Sequence, residues 1–301
     1  MSINNENKKG ILNNEAERDT LNKHLLSSIR KRIIIFLIVS IFMVNSLIVF
    51  SDDNTKKVFA DLTNIVTTVP GVIIGIIILA RCSKKAIFSN IKNKALLSLI
   101  IGLFIWLFAN SLWAYYEFGL GIHEPFPSYA DPIWLFGYFF FGYYFFVMYS
   151  LFKRQGEGNI IINVSLTTGI ALAYVYILTF GVAEIVSAEH HVLITILSIL
   201  YPILDGALLI PSISLLWYSK NNDSTSLLWV LISLSMILFI VGDTYYGYGT
   251  IMGLTDLVGT SIFYNAGYLA IAFGLYWLYK LLSMDKTIIN LQNHNPKINS
   301  L

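Results

Sequence analysis

Long, uninterrupted apolar runs constrain this chain more than any other feature of its sequence. Eight runs are long enough to cross about 30 Å of hydrocarbon as α-helices, which rise about 1.5 Å per residue. They cover residues 33–50, 58–80, 95–117, 132–152, 160–182, 192–217, 226–248 and 258–283. Runs of this length favour helices over the short alternating strands of a membrane barrel. The sequence therefore predicts an all-α integral membrane protein, an eight-helix transmembrane bundle.

The composition agrees with this fold class and excludes several others. Of the 301 residues, 56% are hydrophobic and 13% are charged, whereas soluble domains have about 25% charged residues. A formal net charge of +2 does not suit a protein that neutralises phosphates, so we expect no nucleic-acid partner. A single cysteine, Cys82, excludes an internal disulfide scaffold. The lipid bilayer is the partner that the composition requires.

The basic residues predict how the bundle is oriented. Of the 20 Lys and Arg residues, all but Lys56 and Lys57 precede the first run, lie at or beyond the end of the last, or lie in the second, fourth and sixth connections. Short loops rich in Lys and Arg stay on the cytoplasmic side of a membrane. We therefore expect a multi-pass protein of a cell membrane, of the prokaryotic plasma-membrane type, with both termini in the cytoplasm.

Internal similarity predicts two halves. An offset of 130 residues aligns the third and fourth runs with the seventh and eighth without a gap, and it matches Trp134 with Tyr264 and Tyr138 with Tyr268. Four runs per half make the repeat parallel, with its pseudo-twofold axis along the membrane normal. The expected domains are a basic leader 1–32, a four-helix half 33–152, a cytoplasmic linker 153–159, a second four-helix half 160–283 and a cytoplasmic tail 284–301.

Polar side chains inside the runs indicate where a ligand could bind. Asp205 falls near the middle of the sixth run, where an ionised carboxylate costs ~3 kcal/mol or more. Its partner is a hydroxyl, an amide, water, a proton or a bound cation, because no Lys or Arg lies in the interior of any run and Lys280 is near the end of the last one. On the second run, Asp61 and Asn64 share one helix face. The candidate ligand-binding set consists of Asp205, Asp243, Asn110, Tyr201, Tyr138, Tyr268, Tyr246, Trp113, Glu117 and Asp131.

Structural explanations for the same residues remain open. Asp205 could be a protonated side chain that locks helices together, and Asp131 could stabilise the start of a helix. The tyrosines and tryptophans could form an interfacial belt. We interpret His123, His190 and His191 as loop residues, because they form no metal-ligand pattern.

Familiar catalytic chemistry is not found in the sequence. No run contains an interior lysine that could hold retinal, and the chain lacks the phosphate-loop, hydrolase, metalloprotease and dinucleotide motifs. We assign no catalytic residue, metal or cofactor. The leader and tail are too short to fold a catalytic domain, so a signal would have to pass to a cytoplasmic or membrane partner.

Two segments carry a family resemblance. PFPSYADPIWLFGYFFF (125–141) and YPILDGALL (201–209) resemble the multi-pass membrane regions at the N-terminus of bacterial and archaeal signalling proteins. The resemblance implies a sensory or small-ligand-binding role, here without the output domain to which such regions are joined. The alternatives are a transporter or proton-coupled carrier, favoured by the repeat and the midplane acid, and a scaffold subunit of a membrane complex.

Overall fold

The helices of this chain form one membrane bundle. The computed structural model describes residues 3–82, 84–122, 125–153, 192–219, 224–252, 254 and 257–294, and the regular structure within these ranges is helical throughout. The α-helices are α1 (Ile3–Val49), α2 (Asp53–Ala80), α3 (Lys84–Ser89), α4 (Ile91–Ala114), α5 (Ala130–Lys153), α6 (Val192–Tyr218), α7 (Ser226–Ile251) and α8 (Ser261–His294). A π-helical turn, Tyr115–Gly119, extends α4, and a 3-10 turn, Val258–Thr260, precedes α8.

Seven helices are long and apolar enough to cross a membrane, which identifies the chain as a multi-pass integral membrane protein. Their apolar segments are His24–Val49, Thr55–Ala80, Ile91–Gly119, Ala130–Leu151, Ile196–Trp217, Ser226–Thr250 and Val258–Met284. They correspond to seven of the predicted runs. The remaining predicted run, 160–182, lies outside the described residues, as do His123, His190, His191 and the predicted linker beyond residue 153.

The predicted leader and the first span belong to one helix. α1 is 47 residues long and begins at Ile3, well before the apolar segment that starts at His24. Large side chains on its apolar part, such as Phe36 and Phe42, are exposed on the protein. Exposed aromatic and aliphatic groups at this position suit contact with lipid.

Six helices close into a ring. α2, α4, α5, α6, α7 and α8 contact one another in that order, and α8 contacts α2 again. α1 lies outside the ring, against α8 and α2. The buried apolar side chains of the ring form the main core, which Ile33 and Leu37 of α1 join from outside, and the outer surface includes many exposed Phe, Ile and Leu residues.

The helices at one junction of the ring run in the same direction. On α5 and α6, Tyr201 donates to Asp131 near the start of both helices, and Tyr138 donates to Asp205 further along both. Contacts that advance together along two helices show that the helices are parallel. The end of α5 and the start of α6 therefore lie at opposite ends of the bundle.

The opposite junction, between α8 and α2, is parallel as well. Asn64 donates to Ser261 near the start of the two helices, and Arg81 donates to Ser283 near their end. The other neighbours in the ring are antiparallel. The ring is therefore divided into α2–α4–α5 and α6–α7–α8, two groups of three with the same order of directions, which is compatible with the predicted parallel repeat.

A buried tryptophan lies at the centre of the ring core. The Trp106 ring makes edge-on contacts with Tyr138, Phe141 and Phe239, at centroid distances of 5.3, 4.5 and 5.3 Å. Its Nε1 donates to the backbone oxygen of Trp134 at 3.0 Å. The indole is thus held both by packing and by a hydrogen bond, and it passes close to the backbone of α5.

Gly137 makes this close approach possible, and we predict that Gly137→Ala destabilises the bundle. A Cβ at this position would come within 2.4 Å of Trp106 Cδ1 and Nε1, and overpacking of this kind costs about 1–3 kcal/mol. Thermal unfolding of the detergent-solubilised protein measures the effect. Gly142→Ala on the same helix is the control, because nothing lies within 4 Å of its Cβ. Equal unfolding midpoints for the two variants would contradict the predicted contact.

Candidate functional site

The ring encloses a cavity at one end of the bundle, with a volume of about 140 Å³. Every ring helix contributes to its wall: α2, α5, α6 and α8 through their first turns, and α4 and α7 through their last turns. We call this end the cavity end and the opposite one the far end. Lys57, which lines the cavity, also lies at the cavity end.

The structure brings the predicted candidate residues together. Nine of the ten line this one cavity: Asn110, Trp113, Glu117, Asp131, Tyr138, Tyr201, Asp243, Tyr246 and Tyr268. They come from five different helices and from the π-helical turn after α4. Side chains that are up to 158 positions apart in the sequence therefore meet in one shared space.

Asp205, the tenth candidate, lies behind the cavity wall. Its side chain is 0% exposed, and its Oδ1 accepts a hydrogen bond from the Tyr138 hydroxyl at 2.7 Å. Its Oδ2 is buried without a hydrogen-bond partner. The Tyr138 ring therefore separates this carboxyl group from the cavity.

Asp205 also faces a second carboxyl group. Asp243 on α7 lies within hydrogen-bonding reach of Asp205 and Tyr138, and its Oδ1 accepts from the Tyr264 hydroxyl at 2.6 Å. The two acids and two tyrosines connect α5, α6, α7 and α8 at the cavity end.

Asn110 connects the other side of the cavity. Its Nδ2 donates to the Tyr268 hydroxyl at 3.2 Å and to Thr68 Oγ1 at 3.3 Å. Its Oδ1 accepts from Trp134 Nε1 at 3.0 Å. One amide thus joins α2, α4, α5 and α8, and both its donor and its acceptor groups are used within the protein.

Asp131 lies both at the start of α5 and in the cavity wall. It lies in the first turn of α5, where its Oδ2 accepts from the backbone N–H of Ser128 at 2.6 Å. Its Oδ1 accepts from the Tyr201 hydroxyl at 2.8 Å. Asp131 therefore stabilises the start of α5, as the alternative interpretation proposed, and also joins α5 to α6.

The polar and aromatic side chains in the wall that are absent from the candidate set include Asp61, Asn64, Trp134 and Tyr264. The sequence signal for Asp61 and Asn64 was their shared face on an apolar run. For Trp134 and Tyr264 it was their match under the 130-residue offset. In the structure, each of these matched aromatics donates to the preceding ring helix, Trp134 to Asn110 and Tyr264 to Asp243.

A second carboxyl pair lies at the cavity mouth. Asp61 on α2 is 8% exposed, and Glu117 in the π-helical turn lies within hydrogen-bonding reach of it. Asp61 Oδ2 and Asn64 Oδ1 are buried without hydrogen-bond partners. Both of these atoms are hydrogen-bond acceptors that lack a donor.

The cavity wall is acidic and aromatic. Among the described residues that line it, the acidic ones are Asp61, Glu117, Asp131 and Asp243, and Lys57 is the one basic residue. A shielded space with this charge balance attracts cations and hydrogen-bond donors. Within the described ranges, no group of three or more His, Cys, Asp or Glu side chains is placed to hold a metal ion.

A separate amide network, which the sequence analysis did not identify, attaches α1 to the ring. Asn265 on α8 donates to Asn45 Oδ1 at 3.1 Å and to Thr63 Oγ1 at 2.9 Å, and it accepts from Thr67 at 3.2 Å. Asn45 donates in turn to the backbone oxygen of Ile262. These groups support the cavity wall from outside but do not line it.

Comparisons with known proteins place no family name on this chain. A scan against models of protein families, a search of curated proteins and a search of solved structures each found no match.

Asn110→Leu tests whether the amide holds the wall together. The change leaves Nε1 of the half-buried Trp134 without its acceptor, and the loss of a buried partner costs about 1–3 kcal/mol. We expect a clearly lower unfolding midpoint in detergent. The matched control is the neighbouring Ser111→Ala, because Ser111 is exposed and bonds only to Leu107 of its own helix. A midpoint for Asn110→Leu as high as that of the control would show that the network contributes little.

Proposed function

We propose that this protein is a sensory or ligand-binding membrane module, in which a small cationic or hydrogen-bond-donating molecule enters the cavity from outside the cell. The observation that carries the proposal is the convergence of side chains from six helices on one acidic, aromatic cavity. The cavity contains buried acceptor atoms that no protein donor satisfies. A ligand with donors would supply what these atoms lack.

The distribution of basic residues supports an outward-facing cavity. Arg30 donates to Ser226 at the far end, and Arg81 donates to Tyr279 and Ser283 there. Most of the other Lys and Arg residues in the sequence adjoin the far ends of these helices. Because positively charged segments stay in the cytoplasm, we propose that the far end is cytoplasmic, as are both termini.

One helix offers a direct route from the cavity to the cytoplasm. α8 contributes Ser261, Tyr264 and Tyr268 to the cavity wall, and it continues to His294, beyond the end of its apolar segment at Met284. A ligand that changes the packing of the first turns of α8 would therefore displace its far end. We propose that a partner protein detects this displacement. The resemblance to signalling membrane regions supports the same role.

A transporter or proton-coupled carrier is the second candidate. The Asp205–Asp243 pair favours it, and so do the two groups of three helices with the same order of directions. Carriers place acids near the midplane, between repeated halves. Against it, Trp106 packs edge-on against Tyr138, Phe239 and Tyr268 beneath the cavity. This aromatic layer closes the route to the far end. Substrate or proton flux in proteoliposomes would favour the carrier.

Cysteine labelling tests the proposed orientation. In a Cys82→Ser background, Thr55→Cys places a thiol on an exposed position at the cavity end. We expect a membrane-impermeant maleimide to label it in intact cells. Native Cys82, at the far end, should be labelled only after the membrane is permeabilised. The reverse pattern would place the cavity on the cytoplasmic side.

The charge preference of the cavity is testable with Trp113→Cys in the same background. Trp113 lines the cavity one turn before Glu117, so an impermeant cationic methanethiosulfonate should react about tenfold faster than its anionic analogue. Glu117→Gln should reduce this preference. Tyr115→Cys is the control, because Tyr115 is 56% exposed and does not line the cavity. Equal rates for the two reagents at position 113 would contradict the proposed function.

A further inference from the structure

We propose that the cavity binds a primary ammonium ion carrying a short flat apolar group, with Asp61, Asn64 and Glu117 receiving its N–H donors. This inference rests on the proposed ligand-binding function and names the class of ligand. It commits to one part of the cavity, the mouth between α2 and the π-helical turn after α4.

The hydrogen bonds of the other acids direct the choice of position. Asp131 accepts from Ser128 and Tyr201, and Asp243 accepts from Tyr264. Each of these carboxyl groups thus has a hydroxyl donor from a neighbouring helix. Asp205 does not line the cavity. At the mouth, Asp61 has a carboxyl oxygen that accepts no hydrogen bond from the described residues.

Asp61 has a carboxyl oxygen without a hydrogen-bond donor. The side chain is more than nine-tenths buried, lines the cavity, and has an Oδ2 without a hydrogen-bond partner. Asn64, one turn along the same helix face, donates to Ser261, but its Oδ1 is buried without a donor. Leaving a buried acceptor unsatisfied costs about 1–3 kcal/mol, and more when the group is charged. A bound donor at this place would remove that cost.

The facing acid, Glu117, adds negative charge next to Asp61. The Glu117 carboxyl lies within hydrogen-bonding reach of Asp61, so the two groups repel each other when both are ionised. A primary ammonium has three N–H donors and one positive charge. It can donate to two carboxylates and one amide oxygen at once, and charge-assisted bonds of this kind are about twice as strong as neutral ones.

Aromatic rings next to the mouth suit the rest of the ligand. Trp113 lies one turn before Glu117, and its ring centroid is 5.5 Å from that of Trp134 and 6.2 Å from that of Tyr246. Phe126 lies 5.4 Å from Tyr246. This group of rings offers an apolar surface for a flat hydrocarbon and faces that attract a cation. A hydrated inorganic cation would gain little from such a wall.

Lys57 carries a positive charge that would oppose binding of the ammonium ion. It lines the cavity on α2, one turn before Asp61. An ammonium that enters the mouth would be repelled by the Lys57 charge. The variant Lys57→Met should therefore bind the ligand more tightly than the natural protein.

The experiment compares four probes of similar shape on the purified full-length protein in lipid nanodiscs by isothermal titration calorimetry. The probes are phenethylammonium, its N,N,N-trimethyl analogue, 2-phenylethanol and 3-phenylpropionate. We expect phenethylammonium to bind at least tenfold more tightly than each of the others, since it alone has both the charge and the N–H donors. Stronger binding of the trimethyl analogue, the alcohol or the carboxylate would overturn the proposal.

Variants then locate the bound ammonium group. Asp61→Asn should weaken phenethylammonium binding about tenfold or more, and Lys57→Met should strengthen it. Asp52→Asn is the matched control, because Asp52 is an exposed acid at the same end that does not line the cavity. If Asp61→Asn does not fold, Glu117→Gln replaces it with the same expected loss. Unchanged affinity in the folded variant would overturn the assignment.

A failure of the ammonium proposal can be distinguished from a failure of the proposed function. If the thiol at position 113 reacts preferentially with the cationic reagent but phenethylammonium does not bind, the cavity still receives cations and only the ligand class is wrong. If neither occurs, both proposals fail.

Discussion

The constraint on which this structure depends is that a polar side chain in hydrocarbon must find its hydrogen-bond partner within the protein. Lipid cannot supply one. Tyr138 and Asp205 join α5 to α6 in this way, and Asn110 joins four helices through a single amide. These bonds bring the helices together at the cavity end. The same requirement explains why the cavity is there, since polar groups that meet in one place are difficult to pack without a gap.

The two parallel junctions of the ring satisfy this constraint with different chemistry. At the cavity end of the α8–α2 junction, neutral amides and hydroxyls such as Asn265 and Thr63 form the contacts, and the charged Arg81 contacts α8 only at the far end. At the α5–α6 junction, both contacts are tyrosine-to-carboxyl bonds, and they are reciprocal: Tyr138 donates to Asp205, and Tyr201 donates to Asp131. A change of charge in the cavity therefore acts more strongly on the α5–α6 junction. In the proposed sensor, that junction is where a cationic ligand would alter the packing of the halves.

Sequence reasoning found most of the cavity because an acid inside an apolar run has few explanations. Asp205 required a partner, and the 130-residue offset drew attention to the aromatics near Tyr138 and Tyr268. It could not place Asp205 behind Tyr138, because that depends on which helices are neighbours and on how the side chains pack. It omitted Asn265, whose partners lie about 200 residues away. A lone amide in an apolar run carries no signal of such distant partners.

The proposed repeat places matched aromatic side chains against acceptors of different charge. Trp134 and Tyr264 occupy matched positions, and each donates to the preceding ring helix at 3.0 and 2.6 Å. The acceptor is a neutral amide, Asn110, in one group of helices and a carboxyl group, Asp243, in the other. If the halves arose from one ancestral unit, the same hydrogen-bonded scaffold has been kept while one acceptor differs in charge. The cavity-lining acids are distributed unequally as well, because Asp61, Glu117 and Asp131 belong to α2–α4–α5 with its π-helical turn, and Asp243 belongs to α6–α7–α8. A cation in the cavity therefore interacts unequally with the two halves, and an unequal interaction is what a ligand needs in order to move one half relative to the other.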